Sequence, residues 1–212
     1  MKSNNAIIFL NGDMPRIKVA RKYVKKDSLI ICADGGANKI SKFRLNPDLI
    51  IGDMDSIDSS RLKDLTKKNT RVIKIKEQET TDFEKCLIFC LKNNLEDISV
   101  FGGASPRADH TLNNYSVMKR YSKKLNISMV DDTFEISFIN RNIRFNYKKG
   151  ELVSLLPLPK AFKVKTKGLK YPLDNEDLEF GTREGTLNVS SASNVSVSFE
   201  KGALLLFKQH FL

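Results

Sequence analysis

Two carboxylates one residue apart, Asp53 and Asp55, close the stretch Pro47-Asp48-Leu49-Ile50-Ile51-Gly52-Asp53-Met54-Asp55-Ser56. The short apolar run ahead of them reads as a buried strand. In open α/β sheets, ligands bind outside the carboxyl ends of the strands, where these acids fall. Hard oxygen donors on a turn suit Mg²⁺, which takes one or two protein carboxylates and fills its octahedron with water and substrate phosphates. Asp and Gly are also ordinary turn residues, so a single turn of this kind would carry little weight. Similar turns recur, however. A second apolar run ends in Asp34-Gly35-Gly36-Ala37-Asn38, where a glycine pair lets a ligand approach the backbone and a following helix would offer its N-terminus to an anion. A third opens into Gly102-Gly103-Ala104-Ser105-Pro106-Arg107-Ala108-Asp109-His110. Arg107 can fork onto phosphate oxygens, while Asp109 and His110, taken singly, read as a helix cap and a polar first-turn residue. In Gln78-Glu79-Thr80-Thr81-Asp82-Phe83-Glu84, Thr81 and Glu84 have capping-box spacing. Asp82 then falls in the first helical turn, where the dipole stabilises a carboxylate.

These residues need a scaffold. Strands are predicted at 6–10, 29–33, 49–51, 72–75, 98–101 and 127–130. Helices are predicted from Pro15 to about Lys25, after Asp58, from Thr81, and from the Arg107 loop to about Lys124. Alternation of this kind gives an α/β domain with a Rossmann-like, mostly parallel sheet and helices on both faces. The dinucleotide fingerprint and the Walker sequence are both absent. Near Thr133 the period changes to two. Phe134, Ile136 and Phe138 alternate with polar residues, as do Phe162, Val164 and Thr166, and Val195, Val197 and Phe199. Glycines at 150, 168, 181, 185 and 202 punctuate these runs, which predicts an antiparallel β-sandwich. The expected domains are 1–133 and 134–212.

Composition narrows the class. With 212 residues, 41% hydrophobic and 29% charged, the chain suits one large or two small globular domains. Its apolar runs are short of a membrane span, and Met1-Lys2-Ser3-Asn4-Asn5 lacks signal-peptide form, so the cytoplasm is expected. Cys32, Cys86 and Cys90 have no zinc or redox spacing and read as buried thiols. The net charge of +11 permits nucleic-acid binding or attraction of phosphorylated small molecules. The lysines are scattered in pairs without a basic tract, so a solvated surface is the preferred reading. Spacing alone leaves a phosphotransferase, a nucleotide-binding regulator or a phosphohydrolase. A basic nucleic-acid-binding module would account for the charge, but not for four aspartates at strand ends, which would repel a phosphate backbone.

The ordered set Ala33-Asp34-Gly35-Gly36-Ala37-Asn38, Pro47 to Ser56, Thr81-Asp82-Phe83-Glu84, and Gly102-Gly103 with Arg107, Asp109, His110, Leu112 and Asn114 closely resembles the thiamine pyrophosphokinase family. Gly168-Leu169-Lys170-Tyr171-Pro172-Leu173 and the later Gly185 and Asn188 agree with it, so the resemblance spans nearly the whole chain. It implies an ATP-binding α/β domain, a thiamine-binding β-sandwich and a homodimer. The implied reaction is Mg²⁺-dependent transfer of pyrophosphate from ATP to the hydroxyl of thiamine, giving thiamine diphosphate and AMP. An Mg²⁺-dependent transferase acting on another alcohol is the neighbouring alternative. The resemblance also implies that Asp53, Asp55 and Asp82 hold metal and act in catalysis, with Asp34 lining the same pocket. Gly35, Gly36, Gln78, Thr81, Gly102, Gly103, Arg107, Asp109 and His110 would contact ATP or its phosphates, and Leu187 and Asn188 would stand at the thiamine site. Three departures concern the site, one being Ser105-Pro106 in place of a glycine-richer turn in the phosphate loop. Gln78-Glu79 replaces the Lys-Asp of many bacterial members, and Leu187-Asn188 replaces the usual Ser-Asn, so the serine hydroxyl is lost.

Overall fold

The computed structural model describes residues 4–210. Met1 to Ser3, part of the stretch read for a signal peptide, and residues 211–212 of the expected second domain lie outside the described residues. The chain divides after Asp132 into two compact units.

The N-terminal unit is built on six parallel strands: β1 (Asn5–Phe9), β2 (Leu29–Ala33), β3 (Leu49–Gly52), β4 (Arg71–Lys74), β5 (Asp97–Phe101) and β6 (Asn126–Val130). Their order is β4-β3-β2-β1-β5-β6, with Ile8 in register with Ile31 on one side and Val100 on the other. Ile7, Ile8 and Phe9 are all buried. Consecutive burial of this kind means that both faces of the sheet are covered, which explains runs without polar alternation. Ile7, Phe9, Ile30, Cys32 and Ile50 share one core with Val19, Ala37, Ile40 and Leu65. Helix α3 (Asp82–Lys92) packs on β1, β2 and β3 through an apolar stripe that includes Phe83, Cys86, Leu87 and Cys90. The other helices are α1 (Ile17–Ala20), α2 (Ser59–Lys67) and α4 (Ala108–Tyr121).

Two local expectations change. The helix predicted from Pro15 to Lys25 keeps one turn: no side chain caps it, and the N–H groups of Lys22 and Tyr23 bond back only three residues. After β2 the chain forms two short 3₁₀ helices, Asp34–Asn38 and Ile40–Phe43, rather than an α-helix. Asp34 at their head has φ +38, so the turn leaves the strand through a left-handed residue instead of a standard cap. The cysteines are free and buried, as expected. Burial pushes their thiols up, Cys90 to about 12, so they are inert near neutrality.

The C-terminal unit is antiparallel throughout. It contains β7 (Phe134–Ile139), β8 (Ile143–Asn146), β9 (Leu152–Lys167), β10 (Glu176–Glu179), β11 (Gly185–Val189), β12 (Asn194–Ser198) and β13 (Lys201–Gln209). The long β9 organises it. β13 pairs with β9 from Val153 to Phe162, β11 joins its first half, and β12 and β10 join its second. The predicted alternation is visible in the buried residues: Val164, Val195, Val197 and Phe199 join Val153, Leu155, Leu204 and Leu206 in one core. No described helix is long and apolar enough to cross a membrane.

Candidate active site

The strand order reverses between β1 and β5, and a cleft of about 420 Å³ opens beyond their carboxyl ends. Such a switch point is the usual ligand site of an open α/β sheet. Leu10, Asn11, Gly12, Asp34, Gly35, Ser56, Thr81, Asp82, Gly102, Arg107, His110 and Asn114 are among its walls.

Close backbone packing shapes this cleft. A Cβ on Gly36 would lie 2.1 Å from the Phe9 carbonyl oxygen, and one on Gly35 would lie 2.6 Å from Asn11 Nδ2. The glycine pair expected to admit a ligand therefore admits first the end of β1. Gly102, at φ +74, and Gly103 are similarly crowded, by Leu10 O and the Met129 side chain. The Gly12 N–H donates to Gly102 O across the switch point (2.9 Å). Lys39 Nζ secures the same loop by donating to the carbonyls of Asn11 and Gly12 (2.6 and 2.7 Å).

The carboxylates meet where Gly52 leaves room. A Cβ there would fall 2.8 Å from Asp34 Cβ and 3.1 Å from Asp82 Oδ1. Asp34, Asp53 and Asp82 each present an oxygen, all within 4.8 Å of one another. Asp34 is 1% exposed, and its two oxygens accept the N–H groups of Ser56 and Ile57 at 3.0 Å. Burial pushes its carboxyl up to about 6, helped by the neighbouring Asp55 and Asp82 and opposed by those N–H bonds. The Gln78 amide donates to Asp53 Oδ2 at 2.9 Å and is the main reason its carboxyl sits below the usual range. Burial raises the Asp82 carboxyl, against the pull of Lys85 Nζ at 3.1 Å from Oδ1. Asp55 adjoins Asp34 and accepts the Ser56 hydroxyl (2.8 Å), but it is not one of the three converging acids. Three hard oxygen donors at this spacing fit Mg²⁺.

Of the remaining expected residues, Gly35, Thr81, Gly102, Arg107 and His110 line the same cleft. Thr81 caps α3, its Oγ accepting the Glu84 N–H (3.3 Å). Glu84 does not complete the box. Its carboxylate takes Arg120 Nη2 (2.7 Å) and Tyr121 Oη (3.0 Å), tying α3 to α4. Arg107 is held by Asp109 through two bonds, Nη2–Oδ2 at 2.6 Å and Nε–Oδ1 at 3.2 Å, on an exposed edge. Asp109 thus orients the arginine rather than capping α4, whose cap position is Arg107 itself. His110 lines the cleft, and Asn114 Nδ2 braces the Gly103 carbonyl (2.9 Å). Sequence reasoning overlooked Lys39 and Lys85. The i,i+3 spacing of Asp82 and Lys85 was the available signal.

In the C-terminal unit Asn188 is buried, and its amide is spent on the chain itself. Oδ1 accepts the N–H groups of Tyr171 and Val189, and Nδ2 donates to Tyr171 O (2.6 Å). Leu187 is 83% exposed at φ +59.

Residues 20–130 match the family model described as thiamin pyrophosphokinase, catalytic domain, and residues 140–204 match that for the thiamin pyrophosphokinase vitamin B1 binding domain. Thiamine pyrophosphokinase 1 of Arabidopsis thaliana is 29% identical over 94% of this chain and 84% of its own length. Thiamin pyrophosphokinase 1 of Caenorhabditis elegans is 30% identical over 89% of this chain and 82% of its own. The crystal structure of thiamine pyrophosphokinase from Bacillus subtilis shares the fold, with a TM-score of 0.85 and 23% identity over 98% of this chain and 100% of that one. With both units matched in order, the chain belongs to the thiamin pyrophosphokinase family.

Proposed function

We propose that the protein transfers the pyrophosphoryl group of ATP to the primary hydroxyl of thiamine, forming thiamine diphosphate and AMP. The convergence of Asp53 with Asp34 and Asp82, which line the cleft at the switch point, carries this reading. These residues would hold Mg²⁺, with Asp55 beside them. When bound, Mg²⁺ neutralises charge that shifts among the phosphate oxygens. Arg107, oriented by Asp109, binds phosphate, and Gln78 fixes the Asp53 carboxylate. The thiamine oxygen attacks the β-phosphorus as the AMP oxygen departs, and a clustered carboxylate accepts the hydroxyl proton. Positioning and charge compensation supply most of such a rate enhancement. Clustered acids also attract the cationic thiazolium ring.

In this reading the N-terminal unit is a Rossmann-like ATP-binding domain and the C-terminal unit a thiamine-binding sandwich, in a homodimer. Asn188 shapes the Tyr171 loop beside thiamine. Free buried thiols suit a reducing cytoplasm. The test is incubation with ATP, Mg²⁺ and thiamine, resolving the products by chromatography. Equal amounts of AMP and thiamine diphosphate, abolished by EDTA, are expected. ADP with thiamine monophosphate would mean single-phosphoryl transfer instead, and absence of any phosphorylated thiamine would overturn the proposal.

A further inference from the structure

Lys85 occupies a position that is costly for a lysine. It is 4% exposed, and lysines are rarely buried unless paired. Its N–H bonds to Thr81 O, which puts it in the first turn of α3, where the helix dipole disfavours a cation. It does not line the cleft. Its Nζ lies behind the cleft, 3.1 Å from Asp82 Oδ1, leaving Oδ2 unshared with it. The charge is also felt at Asp53. A buried cation is therefore fixed against one of the three carboxylates that would hold the metal, and its charge reaches a second.

We propose that Lys85 is a resident counter-ion. It makes the trio a weak site for a divalent cation until nucleotide phosphates bring further negative charge, so metal and nucleotide enter together. The physical basis is Coulomb's law in a partly desolvated site: one fixed positive charge offsets part of the attraction that three carboxylates exert on a second cation. The inference rests on the metal reading proposed above. It makes Lys85 a positioning residue that acts through Asp82.

Its test is a calorimetric titration of the nucleotide-free protein with Mn²⁺, comparing the natural chain with Lys85→Met, Lys85→Gln and Lys85→Arg. The two neutral variants should bind Mn²⁺ at least about tenfold more tightly, and Mn²⁺ should raise their melting temperature more than it raises that of the natural protein. Lys85→Arg, which keeps the charge, should stay close to the natural affinity. A neutral variant that folds only with Mn²⁺ would also support the counter-ion. Neutral variants that bind Mn²⁺ no more tightly, or that fail to fold at any Mn²⁺ concentration, would overturn it. Turnover with Mg²⁺, ATP and thiamine, measured in parallel on the natural protein, tests the proposed reaction separately. The Mn²⁺ titration is read in the same way whether or not turnover is found.

Discussion

In the N-terminal unit three acids converge beside a cleft; in the C-terminal unit Asn188 is used up by the chain's own backbone. Asp53 and Asp82 are partly exposed; Asp53 accepts the Gln78 amide on Oδ2 and the Asp55 N–H on Oδ1, and Asp82 takes Lys85 on Oδ1. Asn188 is buried, and its amide satisfies Tyr171 twice and Val189 once. The three acids that converge lie in the first unit. The difference teaches that a polar residue in a family motif can serve chemistry or architecture, and that its hydrogen-bond partners tell which. Acids held together against their mutual repulsion point to function, whereas an amide with three backbone bonds has a sufficient first reason in folding.

The largest expected effect is on turnover. Asp53→Asn should lower kcat by about two orders of magnitude or more, because it removes one of the three converging acids. Its melting temperature should stay close to that of the natural chain. Steady-state assays at saturating Mg²⁺ with parallel melting curves check this, and a mainly thermal defect would erase the contrast between the units. Next in size is Asn188→Ala, which leaves the Tyr171 N–H and C=O without their buried partner and should cost about 1–3 kcal/mol of stability. Denaturant unfolding reads that loss. The KM for thiamine should rise while the KM for ATP holds, and a selective ATP defect would put the division of labour in doubt. The smallest effect belongs to Leu187→Ser. Its exposed side chain predicts a stability change within about 0.5 kcal/mol, and thiamine KM should move little. A large fall in KM would show that the missing hydroxyl limits this chain.

Much of the N-terminal unit was legible because period and punctuation are local. The fully apolar strands announced a sheet covered on both faces, and Thr81 announced the start of α3. The 3₁₀ turns after Asp34 were not legible, because they combine a left-handed aspartate with a glycine, Gly36, packed against the end of β1. The glycine pairs were visible, but their use was not. Gly36 answers to the Phe9 carbonyl, a contact between segments separated by a whole strand and its connection. In the C-terminal unit alternation revealed the strands, yet not that one of them, β9, would pair along its length with four others.

The sequence by itself determined the alternating parallel unit, the change to antiparallel strands near Thr133, and the residue types from which the site is drawn. Each of these follows from spacing along the chain, since burial period and turn chemistry act over a few residues. Tertiary structure alone decided which acids converge. It brought Asp34 into the trio, set Asp55 beside it, and buried Lys85 behind Asp82. Those relations depend on the space left at Gly52 and on how α3 packs across the sheet. Both are distances between segments far apart in sequence, set by packing rather than by spacing along the chain.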